Sequence, residues 1–301
     1  MKKIFALLLA LAFVLPGCSA KSSLKEYDTG LGLLLYLPSG FEAFEDDRFP
    51  YATSNENHVS TDAAQIVVYV EYESNDTLHV LGYEYRDVKE YGDDSSSDDE
   101  IQTSAGMVGD RYVFDTVKDD IYYKIVCLPG NDGYYIVSML CFSDSKQLPS
   151  RFDEFAAAIK VTDVASTPDY KTFDNGMFTI DLPDCMTEDD EYISYYSNCA
   201  SIGFDHYTAE VFKENGFECP ATEIEALEMV RSTDEGAEEI RSDGDLHYYI
   251  YRNAEEEISY VMTLLKASDG YLYCEGILYT DMEDLLLPAF VRWFKSIKVN
   301  F

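Results

Sequence analysis

Basic residues are scarce: 22 Lys and Arg stand against 57 Asp and Glu, a formal net charge of −35. A chain this anionic lacks the cationic face that a phosphate backbone requires, which excludes nucleic acid as a partner. An anionic lipid surface repels it too, so adhesion to a membrane has to come from acyl chains rather than from a polybasic patch. Histidine is also rare, limited to His58, His79, His206 and His247. No two of them stand at i, i+4 spacing and there is no Cys-x-x-Cys, so no zinc motif is present and no metal ligand is assigned. The sequence has no Gly-x-Ser-x-Gly elbow, no Walker loop and no dinucleotide fingerprint, so no cofactor and no catalytic residue is assigned. Ser95-Ser96-Ser97 lies in an acidic stretch with no neighbouring base to activate it.

The longest apolar run, Ile4 to Leu15, is shorter than the roughly 20 residues that cross a bilayer. It follows Met1-Lys2-Lys3 and leads into Leu15-Pro16-Gly17-Cys18, the order of an export signal: cationic, apolar, then small residues. The tetrapeptide resembles the lipobox of bacterial lipoproteins, with Pro16 in place of the usual Ala or Ser. That resemblance implies a signal peptide over 1–17 and a Cys18 thiol carrying diacylglycerol, with palmitate-type acyl chains holding the protein on the extracytoplasmic face of the cell membrane. Residues 18–26 are then expected to tether the anchor to the first folded domain.

Six further cysteines remain: Cys127, Cys141, Cys185, Cys199, Cys219 and Cys274. Cys127, Cys141 and Cys274 sit inside apolar runs, where cysteine acts as a small buried hydrophobe. Cys185, Cys199 and Cys219 lie in or near loops, so at most one disulfide is expected, among these three.

What the chain does have is internal repetition. Ile121–Tyr134 aligns without a gap on Ile258–Tyr271, each ending in Asp-Gly-Tyr. Phe152, Phe155 and Ile159-Lys160-Val161 align on Phe290, Trp293 and Ile297-Lys298-Val299, and Leu37-Pro38 aligns on Leu182-Pro183. The shared Asp-Gly pairs read as hairpin turns in which Gly takes a positive φ. The expected organisation is a first α+β repeat over 27–161, a Ser/Thr/Pro linker over 162–168 and a second repeat over 169–301.

Hydrophobic periodicity gives the elements. In the second half, strands are expected at 177–182, 192–197, 201–211, 238–241, 246–252, 258–265 and 271–280. A helix over 222–231 places Ile224, Leu227 and Val230 on one face, and a helix over 285–296 buries Leu286, Phe290, Trp293 and Phe294. In the first half, 77–91 is expected as one helix and 93–100 as an acidic, Ser-rich loop. Consecutive strands joined by short turns make antiparallel sheets with packed helices, the α+β class.

This order, with its Leu-Pro corner, resembles the PsbP-like fold, an α-β-α sandwich shared by an extrinsic photosystem subunit and diverse bacterial lipoproteins. The resemblance implies a binding or assembly module rather than an enzyme, with an envelope protein or peptide as partner. The acidic runs Asp93-Asp94, Asp98-Asp99-Glu100 and Glu188–Glu191 lack the EF-hand spacing and read as solvated loops. Adjacent tyrosines at 122–123, 134–135 and 248–249, with Tyr271 and Tyr273, are expected to pack partly under helices and partly outward, where a row of them grips a partner. Two other readings stand beside this one: an envelope hydrolase using a carboxylate pair, and a solute-binding lipoprotein of a transporter.

Overall fold

The computed structural model describes residues 24–38, 42–44, 57–61, 66–95, 101–118, 121–141, 152–162, 169–189 and 193–300. The fold is α+β, built on antiparallel sheets with few helices. Contacts divide the chain into two units. The first takes the described residues up to Tyr72, then Asp87–Asn131 and the segment from Tyr135 to Thr162. The second takes Glu73–Arg86, Asp132–Tyr134 and the residues from Asp169 onward.

In the first unit, β1 (Leu24–Asp28) and β2 (Leu33–Pro38) form a small sheet completed by β10 (Lys160–Val161). Because β1 begins at Leu24 and pairs with Pro38, folded structure starts inside the tether expected over 18–26. The larger sheet comprises β3 (Glu42–Phe44), β4 (Asn57–Thr61), β5 (Ile66–Ser74), β6 (Ile101–Val108), β7 (Arg111–Lys118), β8 (Ile121–Pro129) and β9 (Gly133–Cys141). Its order is β3-β4-β5-β9-β8-β7-β6. The continuous burial of Lys124 to Leu128 along β8 replaces the alternation of a half-exposed strand, because both faces are covered. Val126 and Leu128 meet the small sheet and the helix Phe152–Ala158 on one face. Cys127 meets the helix Val88–Asp94 on the other, where Gly92 makes room for the ring of Tyr112. Arg111 closes the end of the helix Phe152–Ala158 by donating to the carbonyls of Ala156 and Ile159.

The expected single helix over 77–91 is two helices, α1 (Asn75–Leu81) and α2 (Val88–Asp94). Gly82, at φ 92°, ends α1 in the left-handed region, which a glycine enters without steric cost. Asp87 restarts the chain as a cap, its Oδ1 accepting the N–H groups of Lys89 and Glu90 at 2.9 and 3.0 Å. The helix Phe152–Ala158 is α3.

In the second unit, β11 (Tyr170–Asp174) and β12 (Phe178–Pro183) form a small sheet with β20 (Lys298–Val299). The larger sheet uses β13 (Thr187–Asp189), β14 (Ser194–Tyr196), β15 (Ala200–Thr208), β16 (Arg241–Asp243), β17 (Leu246–Asn253), β18 (Ile258–Ala267) and β19 (Gly270–Tyr279). Its order, β13-β14-β15-β19-β18-β17-β16, repeats that of the first large sheet position by position. The expected strand over 201–211 ends at Thr208, whose hydroxyl accepts the N–H of Val211 at 3.2 Å and starts α4 (Ala209–Glu214). The strand expected over 238–241 falls instead at β16.

A capping box starts α5 (Glu223–Arg231): Thr222 Oγ1 accepts the Glu225 N–H, and Glu225 Oε2 accepts the Thr222 N–H, each at 3.2 Å. Leu227 and Ala226 face the sheet, whereas Ile224 is exposed, so the expected Ile224-Leu227-Val230 face is rotated about the helix axis. In α6 (Glu283–Ser296), Leu286, Ala289, Phe290, Trp293 and Phe294 form the buried stripe at i, i+3, i+4, i+7 and i+8. Burying each large side chain contributes about 1.5–3 kcal/mol. Phe290 lies so close to β19 that a Cβ on Gly276 would stand 2.4 Å from its ring.

One face of this sheet packs on α6, the small sheet and Val80 of α1, and the other on α4 and α5. Covering both faces accounts for a correction to the tyrosine pairs: Tyr248 is buried toward α6 and Tyr249 toward α5, so neither points outward. The paired Asp-Gly sites fall at the β8–β9 and β18–β19 turns as expected, and Gly133 takes a positive φ of 151°, whereas Gly270 does not. A Cβ on Gly133 would stand 2.1 Å from the Glu73 carbonyl oxygen, and one on Gly270 would stand 2.0 Å from that of Tyr207. Close approach of a neighbouring backbone requires glycine at both positions, and at Gly133 the positive φ adds to it.

Candidate functional site: an open tyrosine face on the second unit

Cys18 lies outside the described residues. The side chain of His58 lies outside the described ones, and the other three histidines have separate surroundings: His206 Nε2 is 3.0 Å from Asp269, His247 Nδ1 is 2.8 Å from Ser242 Oγ, and the Nδ1 of His79 is buried without a hydrogen-bond partner. Asp93 accepts the Tyr112 hydroxyl at 2.5 Å and pairs with Lys89, while Asp98–Glu100 and Asp190–Glu191 lie outside the described residues. Among the described residues, no group of three or more His, Cys, Asp and Glu is placed to hold a metal ion. Cys185, Cys199, Cys219 and Cys274 are free thiols. Burial pushes Cys185 up to about 12 and raises Cys199 and Cys274 as well, which disfavours their thiolates.

The α5-side face of the second large sheet is only partly covered. Helices α4 and α5 roof Tyr249, Met262, Leu264 and Tyr271, and the remainder of the face is half-exposed. Strand register lays it out in rows across β15, β19, β18 and β17. One row reads Ser201, Ile277, Tyr260, Tyr251 and the next Gly203, Glu275, Met262, Tyr249. Asp205, Tyr273 and Leu264 form a third row, and Tyr207 with Tyr271 begins a fourth.

Aromatic contacts bind these rows together. Tyr251 and Tyr260 have ring centroids 5.7 Å apart, and Tyr207 stacks on Tyr273 at 5.3 Å. The Tyr273 hydroxyl donates to Glu275 Oε2 at 2.9 Å. Desolvation raises the hydroxyl pKa of Tyr207, Tyr260 and Tyr273, and the charge of Glu275 adds to it at each. These phenols stay neutral at physiological pH.

Beside this face, Ser197–Ser201, Ile258 and Ile277–Tyr279 line a shallow pocket of about 180 Å³. It shares Cys199 and Tyr279 with a cleft of about 700 Å³ walled by Gly82, Arg252, Glu257, Asp281 and Met282. Arg252 is held there by Glu283 and Glu238, and its hydrogen bonds keep both carboxyls below the usual glutamate range. The arrangement offers aromatic surface, carboxylates and hydrogen-bonding hydroxyls, the makings of a binding surface. Sequence reasoning singled out neither Glu275 nor Gly203. A glycine inside a strand was the available signal for Gly203, whereas Glu275 stands out only after four strands are placed in register.

The solution structure of cyanobacterial PsbP (CyanoP) from Synechocystis sp. PCC 6803 is similar over 49% of this chain and 99% of that one, at 20% identity and a TM-score of 0.32. The apo structure of the T6SS immunity protein TplEi from Pseudomonas aeruginosa matches over 87% of this chain and 97% of its own, at 9% identity and a TM-score of 0.21. The same protein with bound "L" peptide matches over 93% and 99%, at 10% identity and a TM-score of 0.21. Superpositions this loose carry no argument about function. No protein-family model matches the chain, and no curated protein matches it.

Proposed function

We propose that this protein is a lipid-anchored, extracytoplasmic binding or assembly module, non-catalytic, built from two copies of a PsbP-like domain. The Leu15-Pro16-Gly17-Cys18 box behind a short apolar stretch carries the anchoring. The sequence repeat and the shared order of the two large sheets support duplication of one domain. A holding role is supported by the half-exposed tyrosine face, whose hydroxyls stay protonated, and by thiols pushed up in pKa, which are poor nucleophiles.

Acylation at Cys18 places the first folded strand within a few residues of the membrane, since five residues separate Cys18 from Leu24. At about 3.4 Å per residue the anchor-to-strand reach is roughly 20 Å. Fractionation of cells expressing wild type and Cys18→Ala tests the reading. Wild type belongs in the membrane pellet and the variant in the soluble fraction; a variant that stays in the pellet overturns it.

A further inference from the structure

Among the described residues, Glu275 has tyrosines as neighbours and no cation. Among the described residues no lysine or arginine pairs with it, although Tyr273 donates to it and its charge reaches Tyr207, Tyr249 and Tyr260. Elsewhere in the chain lysines do occupy ring faces, as Lys266 does over Tyr271 at 4.2 Å and Lys171 over Phe173 at 4.5 Å. None lies over Tyr207, Tyr251, Tyr260 or Tyr273 among the described residues.

Space beside the carboxylate is also provided. Gly203 is directly opposite Glu275 across the β15–β19 pair, and a Cβ built on it would touch nothing within 4 Å. Its backbone is not in the left-handed region, so no turn or strain accounts for glycine there. The missing side chain opens a notch next to Glu275, with Asp205 and Tyr273 in the next row and Ser201 and Ile277 in the row before.

We propose that this notch binds the head of a small organic cation, an ammonium or quaternary ammonium group, between Glu275 and the faces of the neighbouring tyrosines. Ring faces attract cations through their quadrupole, and methylated ammonium ions, weakly hydrated, give up water readily to reach them. A hard metal ion fits worse: calcium takes six to eight oxygen ligands, and the notch presents the carboxylates of Glu275 and Asp205. The charge of the surface matches as well, since a chain of net charge −35 raises the local concentration of cations.

The inference rests on the binding-module reading and is independent of Cys18, so fractionation and ligand titration fail separately. Titration of the full-length protein with tetramethylammonium chloride, against matched sodium chloride, is the test. The expected result is saturable binding that weakens at least tenfold in Glu275→Gln, which keeps the side-chain shape. Gly203→Val, whose added side chain has room to fold, is expected to block the notch and weaken binding as strongly. Absence of saturable binding in the wild type overturns the proposal. So does equal affinity in wild type and both variants, which would mean that the acidic surface gathers the cation without a site.

Discussion

Asp169 accepts the backbone N–H of Ser74 at 2.8 Å, joining the start of the second repeat to the cap of α1, 95 positions earlier. The same carboxylate accepts the hydroxyl of Thr77, Asp76 pairs with Arg292 of α6, and the Tyr170 hydroxyl donates to Asp76. Val80 inserts into the second core, and its carbonyl accepts the N–H of Cys199 at 3.0 Å. Helix α1, which the repeat pattern assigns to the first half, is therefore built into the second unit. Its sequence counterpart α4 packs instead on the opposite face of that unit's sheet, through Phe212.

Asp169 is 2% exposed, so Asp169→Ala leaves the Ser74 N–H and the Thr77 hydroxyl without their acceptor in a buried setting. Hydrogen bonds to a charged group contribute about 1.5–3 kcal/mol each, and a buried donor left alone costs about 1–3 kcal/mol. Urea denaturation is expected to show a loss on the order of 3 kcal/mol in the second unit. A loss under about 0.5 kcal/mol would contradict the anchoring role of Asp169.

Gly270→Ala drives a Cβ against the Tyr207 carbonyl oxygen, a contact of 2.0 Å that a backbone has to move to relieve. The register of β15 with β19 stands in the way, because Thr208 pairs with Gly270 itself. The expected cost is about 3 kcal/mol or more, within the range for overpacking and backbone strain. Gly244→Ala, at a φ of 64° with open space around it, is expected to cost only about 1 kcal/mol. Equal losses measured by thermal melting would show that close approach is not what selects glycine at 270.

His79 on α1 titrates below its ordinary value because burial penalises the imidazolium. Asp76 on the same helix, Glu84 beyond it and Asp132 in the β8–β9 turn oppose that effect, and Arg292 on α6 reinforces it. A histidine whose pKa is depressed by folding contributes stability that is complete above about pH 6.5 and is lost as pH falls toward the native value. Between pH 7.5 and 5.5 the wild type is expected to lose more stability than His79→Gln, as read by urea midpoints at each pH. Parallel losses would assign the acid sensitivity to other groups.

Much of the local structure was legible from sequence. The α6 stripe needed only a 3.6-residue period, and the same period placed α5 within 222–231. Other features depend on partners distant in sequence. Nothing in Asn75–Leu81 itself reveals that Asp76 meets Arg292, 216 positions away. Ile224 and Leu227 both fit an apolar face, and the position of the sheet beneath decides that only Leu227 is covered. Tyr248 and Tyr249 read as an inward and outward pair until helices are found on both sides of the sheet. The notch at Glu275 combines side chains from separate strands and one missing side chain, an arrangement that single-strand periodicity cannot display.

Mass spectrometry of the amino-terminal peptide from membrane-extracted protein tests the central claim most directly. The account predicts a mature chain that begins at Cys18 and carries the mass of a thioether-linked diacylglyceryl group. An unmodified Cys18, or a chain that retains Met1–Gly17, would contradict it.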